Sequence, residues 1–370
     1  MLIQTRARAA SADSLMLAAT HDTAEIYTPD VRIYQYEHGG APGEQWFSDD
    51  FSFGAQDIAV VDDAQISPER PRGYAMLSAE GDVYYFSRPE RVEEVIAGAG
   101  TTNPGAKFYG RVLKLRQIGA HLYVCGAGGQ IYKRRGRDDW GLLTDAVLYD
   151  PDAGRRRDDA QAAEGRSKPK VGSPEWKEWI VNKGLHPASR NIFFNDIQGL
   201  SEDAIYICGE TGPGSKPVLC YWDGQTLEEL KLPIAEAALT GIYIENRDSV
   251  WVCGREGVIL HGTWARGFNP VNAPTRNNLF HSFTPYRGKL VMPASVRPGG
   301  LYELDPKTGE FGRFRPALPP LTQAAPGSDE PKTGPFFAQA FGDVLWVVGL
   351  RDIYRFDGVE WERIKNPDMP

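Results

Sequence analysis

Val347-Val348-Gly349-Leu350-Arg351-Asp352-Ile353-Tyr354-Arg355-Phe356-Asp357-Gly358-Val359-Glu360-Trp361 is the stretch that decides the fold. It leaves a β-branched strand at a glycine, crosses a short polar break and enters a second strand that runs into Asp-Gly. The phrase recurs. Val252-Cys253-Gly254 leads through Gly257 to Val258-Ile259-Leu260, and Ile207-Cys208-Gly209 precedes Leu219-Cys220-Tyr221-Trp222-Asp223-Gly224. Val124-Cys125-Gly126 is followed by Gly128-Gly129 and Ile131-Tyr132. One supersecondary unit copied along a chain means a closed or stacked repeat architecture.

Each unit reads as four antiparallel strands. Leu239 to Ile244 is a strand ahead of the phrase, Ser249 to Cys253 opens it, and the polar break separates a third. A last strand follows the turn, over Thr226 to Leu230 in one copy and Glu360 to Ile364 in another. Asp-Gly between such strands predicts a hairpin with a type I′ turn, whose central residues both need positive φ. Four strands per unit is the composition of a propeller blade.

Seven units can be counted. A weak first one spans Leu15 to Trp46, a second spans Ile58 to Val95, and the rest centre on Cys125, Cys208, Cys253, Pro293 and Gly349. The last centres lie about forty to sixty residues apart, the period of a blade. The sequence therefore predicts an all-β chain in which residues 1–370 form a single β-propeller of seven four-stranded blades. Six blades would follow if the first unit only completed a neighbour. Two successive β-sandwich domains would also show short, regular strands, but would not explain the recurring phrase.

Two stretches interrupt the repeat. Residues 150–190 open with a charged loop containing Arg155, Arg156 and Arg157, and continue into Ser173-Pro174-Glu175-Trp176-Lys177-Glu178-Trp179-Ile180. Serine as N-cap, proline at the first helical position and an early glutamate predict a helix over about 173–183. Trp176, Trp179 and Ile180 then share one face by their spacing. A short helix with two tryptophans either packs on the ring or serves as a partner-binding element, and we take these residues and the three arginines as the candidate binding site. Residues 315–335 carry six prolines, Pro316, Pro319, Pro320, Pro326, Pro331 and Pro335, and read as an extended loop.

The formal net charge of −8 and a pI near 5.4 argue against general affinity for nucleic acid or an anionic membrane surface. They suit a basic protein partner. Cys125, Cys208 and Cys253 hold the same place in three repeats, which predicts small buried hydrophobes rather than disulfides. Reduced thiols, and the lack of a signal-like apolar segment at the N-terminus, lead us to expect a cytoplasmic monomer. His21, His38, His121, His186, His261 and His281 are scattered, without metal-ligand spacing. We expect neither metal nor cofactor. There is no nucleophile elbow and no phosphate loop. Gly126-Ala127-Gly128-Gly129 joins two strands instead of opening a helix, so it reads as a turn.

The pattern V-x-G-x-x-G-x-I-x-x-x-D-G-x-x-W resembles the sialidase-type and kelch-like propellers, with Asp352 where the second glycine would stand. The sialidase Asp-box is missing, and the kelch double glycine occurs only at Gly128-Gly129. The resemblance therefore implies blades, and from kelch proteins protein binding, without sialidase activity. In style the chain also resembles bacterial cytoplasmic propellers that act as immunity proteins. That resemblance implies a non-enzymatic binder that neutralises a cognate toxin by covering its active site, with a basic toxin domain as partner. The alternatives are a carbohydrate-active hydrolase or lyase, or a small-ligand binder, with its site in the central channel, and an assembly scaffold.

Overall fold

The computed structural model describes residues 2–21, 30–41, 43–62, 72–86, 91–103, 105–152, 169–170, 173–176, 178, 190–212, 215–271, 278–296, 298–322 and 334–369. Among these, twenty-eight strands fall into seven four-stranded antiparallel sheets, each built from consecutive strands. The first blade runs from β1 (Leu2–Ala9) to β4 (Trp46–Ser52), and the second from β5 (Ala55–Asp62) to β8 (Arg91–Val95). The third runs from β9 (Val112–Ile118) to β12 (Asp139–Leu142), the fourth from β13 (Asn191–Ser201) to β16 (Leu227–Glu229). The fifth spans β17 (Leu239–Asn246) to β20 (Gly267–Pro270), the sixth β21 (Thr284–Tyr286) to β24 (Phe311–Arg313), and the seventh β25 (Phe337–Phe341) to β28 (Trp361–Ile364). The opening strands of neighbouring blades contact one another, so they are innermost and line the axis. The ring is a seven-bladed propeller.

The repeated phrase is the second strand of each blade. Leu122, Tyr123, Val124 and Cys125 are all buried, as are Val250 through Cys253 and Leu345 through Val348. These strands run apolar without alternation because blades pack face to face and cover both sides. Seven apolar clusters result, one at each seam. Cys125, Cys208 and Cys253 fill consecutive seams as free, buried thiols, and burial pushes each well above its ordinary pKa.

The glycine after each cysteine answers to crowding. A Cβ on Gly126 would sit 2.5 Å from Arg111 O and Val112 Cα, and one on Gly209 or Gly254 would strike the backbone at Phe193 or Ala238. Here the innermost strand enters across the second, and only glycine admits that approach.

The Asp-Gly hairpins form, with a different turn. Gly224 and Gly358 have φ of 95° and 101°, while neither Gln225 nor Val359 has positive φ. Positive φ at the first central position alone is the requirement of a type II′ turn. The aspartate supports it directly: Asp223 Oδ1 accepts the N–H groups of Gln225 and Thr226 at 2.8 and 2.6 Å, and Asp357 Oδ1 those of Val359 and Glu360 at 2.8 Å each. Two side-chain hydrogen bonds make a left-handed second residue unnecessary.

Among the described residues, no strand is exchanged where the ring closes. Blade one meets blade seven through Leu15, Leu17, Tyr34 and Tyr36 against Trp346, Val348, Ile353 and Met369. Trp346 Nε1 donates to Ser11 O at 3.1 Å, Gln4 N donates to Leu350 O at 2.7 Å, and Asp368 receives both Arg32 and Tyr34.

Candidate functional site

Strand alternation sorts the connections onto two faces. Links between second and third strands, and between one blade and the next, emerge together. This face carries the described parts of the long connections 96–111, 143–190, 230–238, 271–283 and 314–336. The opposite face holds mostly short turns, such as those at 119–120, 202–203, 247–248 and 342–343.

The interruption at 143–190 is rooted on the third blade's double glycine. Gly128 O accepts Tyr149 N–H at 2.8 Å where the segment leaves, and Gly128 N–H donates to Asn191 Oδ1 at 3.0 Å where it returns. Gly129 N–H donates to Ile192 O at 3.0 Å. Both glycines have φ near 70°, and a Cβ on either would collide with the backbone of Tyr109 or Val147. The pair is a turn, as its sequence implies, and it clamps both ends of the insertion.

Within the insertion, Pro174, Glu175, Trp176 and Glu178 are helical. Ser173 Oγ accepts Trp176 N–H at 3.1 Å, the N-cap bond its sequence predicts. Trp176 is half-buried. Trp179, Ile180, Arg155, Arg156 and Arg157 lie outside the described residues, as does the remainder of the expected helix. Of the proline-rich loop, the parts up to Thr322 and from Gly334 are described. The first is held by Asp352, a buried carboxylate that accepts from Thr322 N at 2.6 Å and pairs with Arg363 at 2.9 Å.

The axis carries what sequence reasoning missed. The innermost strands enclose a cavity of about 930 Å³ whose lining includes Arg6, Arg8, Asp57, Lys114, Arg116 and Asp196. Arg116 joins three blades: Nη1 lies 2.6 Å from Asp57 Oδ2, and Nη2 lies 3.2 Å from Asp196 Oδ1. Lys114 adds a contact to Asp57 at 3.4 Å. Each carboxylate also accepts a backbone N–H from the next blade, Leu115 for Asp57 and Ile242 for Asp196, both at 3.0 Å. Burial alone would raise the Asp57 carboxyl, but Lys114, Arg116 and the Leu115 N–H hold it below the ordinary carboxylate range. Burial opposes the Arg116 charge too, and Asp57 and Asp196 outweigh it, so that guanidinium stays charged.

The available signal was spacing of two: Arg6 with Arg8 and Lys114 with Arg116, each pair on one side of a strand. Nothing local reveals that the two strands line one cavity.

Both carboxylates are committed to Arg116, which leaves neither free to serve as the proton donor a glycoside hydrolase needs. His281 Nε2 lies 2.6 Å from Ser295 Oγ beside the cavity, yet Ser295 is fully buried and presents no nucleophile to a substrate. Among the described residues, no group of three or more histidine, cysteine or acidic side chains could hold a metal ion, and no helix is long and apolar enough to cross a membrane.

No family model matches the chain. Among curated proteins it is similar to the Immune protein Tsi7 of Pseudomonas aeruginosa, 23% identical over 293 residues, covering 79% of this chain and 73% of that one. Among solved structures it resembles the virginiamycin B lyase of Staphylococcus aureus, with a TM-score of 0.56, 11% identity and coverage of 94% of this chain and 91% of the other. YCF48 from Cyanidioschyzon merolae also aligns at a TM-score of 0.56, with 12% identity over 96% and 95% of the two chains. These structural likenesses show the propeller fold alone.

Proposed function

We propose that the chain is a protein-binding propeller of the immunity type, which neutralises a cognate bacterial toxin by covering its active site. The observation that carries this reading is the similarity to an immune protein across 79% of the chain, most of the ring and not one blade. The face of long connections is the docking surface, because its segments can be shaped to one partner while the blades stay fixed. Trp176, Trp179 and Ile180 supply apolar anchors, and Arg155, Arg156 and Arg157 a charged rim. A chain of net charge −8 draws a basic toxin domain to that face. It works in the cytoplasm as a monomer.

The test is a tagged pull-down from the native host with mass spectrometry, followed by expression of the captured domain alone and together with this chain. We expect a domain that arrests growth alone and is harmless in combination. Trp176→Ala with Trp179→Ala should weaken the complex by about 30-fold or more, the loss typical of hot-spot aromatics. Undiminished binding by the double variant would move the surface off the insertion. A captured domain that is harmless alone would end the immunity reading.

A further inference from the structure

Charge in the axial cavity is unbalanced once its pairs are counted. Asp57 and Asp196 together neutralise Arg116 and Lys114. Glu210 and Arg255, also in the lining, bring one charge of each sign. Arg6 and Arg8 remain, in a protein whose overall charge is negative. Arg6 spends its guanidinium on neutral acceptors: Gln56 O, Thr5 O at 2.7 Å and Gln56 Oε1 at 3.4 Å.

Arg8 has nothing. Among the described residues its guanidinium has no hydrogen-bond or ion-pair partner, and its Nε is fully buried without one. The side chain is half-buried and faces the cavity. A guanidinium presents a fork of five donors matched to a carboxylate or phosphate, and a donor left unmet in a low-dielectric site is costly. Burial first, and then the neighbouring Arg116 charge, pull Arg8 down to about 10, against partial help from Asp57, Asp196 and Tyr74. An arriving anion would relieve both costs.

We propose that the axial cavity is a binding site for a small oxyanion, a phosphate or carboxylate, gripped by Arg8 with Arg6 beside it on the same strand. The cavity is roomy enough for a group carrying such an oxyanion, and its neutral lining from Ser282 and Gln339 offers further polar contacts. The site stands independently of any protein docked on the loop face.

The experiment is thermal unfolding and titration calorimetry on the full chain. Sodium phosphate and sodium acetate are added separately, with sodium chloride holding ionic strength constant. We expect a saturable rise in Tm with one of the two, identifying the oxyanion, and none with chloride. Arg8→Gln should lower that affinity at least tenfold, and Arg8→Lys, which keeps the charge but loses the fork, should fall between. In anion-free buffer Arg8→Gln should melt no lower than the natural chain, because it removes a repelled and unpaired charge. A lower Tm there would mean that the guanidinium is already satisfied within the fold, and would overturn the proposal. So would an equal anion response in Arg8→Gln, or no saturable response to either anion.

Discussion

Two halves of the propeller's axis solve one problem with different chemistry. In blades six and seven, Thr284 Oγ1 accepts Ala340 N–H from the next blade at 2.9 Å, and Gln339 Oε1 accepts Ala9 N–H at 3.1 Å. In blades two and four the same bond, from a side chain on one innermost strand to the backbone of the next, is made by Asp57 and Asp196. Neutral side chains therefore suffice to link neighbouring blades. The ionised half carries more charge than the linkage requires, and carboxylates so placed then require cations around them. Arg116 and Lys114 answer that requirement. Arg8 exceeds it, which separates a ligand-facing group from the scaffold.

The comparison breaks most readily at Arg116. Arg116→Met leaves Asp57 and Asp196 buried without their shared cation and should cost about 3–5 kcal/mol. Thr284→Val, the matching deletion in the neutral half, removes one buried hydrogen bond and should cost about 1–2 kcal/mol. Denaturant unfolding of both variants checks the pair. Equal losses would show that the two halves do not differ in kind.

pH sharpens the contrast next. Asp57 titrates below its ordinary 3.8 in the fold. At the third seam burial would raise Glu202, but Lys133 and His121 bring it to about 2 from an ordinary 4.5. A depressed carboxylate stabilises fully above its unfolded pKa, and that stability drains as pH falls toward the folded value. Stability should therefore decline from about pH 4.5 toward pH 2, and Asp57→Asn or Glu202→Gln should flatten that limb. Thr284→Val should leave its slope unchanged, as urea midpoints across this range would reveal. The smallest effect falls on Lys114→Met, whose ammonium is partly exposed and 3.4 Å from Asp57. A loss below about 1 kcal/mol is expected in the same unfolding assay.

Much of the scaffold was legible because the blade phrase is set by local needs. Tyr123-Val124-Cys125-Gly126 reads as a strand with a small buried cysteine that ends at a glycine, and the fold bears out both, while the close backbone crossing at Gly126 shows only in three dimensions. Ser173-Pro174 announced its helical start for the same local reason. The turn type was not legible, since Asp-Gly serves both hairpin classes and the Asp223 side chain decides between them. The first blade read weakly from Leu15 although it begins at Leu2. Arg6 and Arg8 resemble a solvated edge until the strand is known to face the axis. Convergence around that axis joins residues as distant as Asp57 and Asp196, and no spacing within either segment encodes it.

Closure without strand exchange has a consequence for how the ring is made and how it would fail. Every blade is contiguous in sequence, so each can form as it is synthesised, but blade one keeps an uncovered flank until Trp346 and Met369 arrive from the far end of the chain. Under tension the seam between these blades is the natural place to part, because only side chains and a few hydrogen bonds span it. Gln4 Nε2 lies 3.5 Å from Met369 Sδ, so the segment that opens blade one and the segment that follows blade seven already touch. A peptide linker could therefore join them and the chain be cut afresh between any two blades. Such permutants would carry the axial charges unchanged and bring a different blade last to the ring.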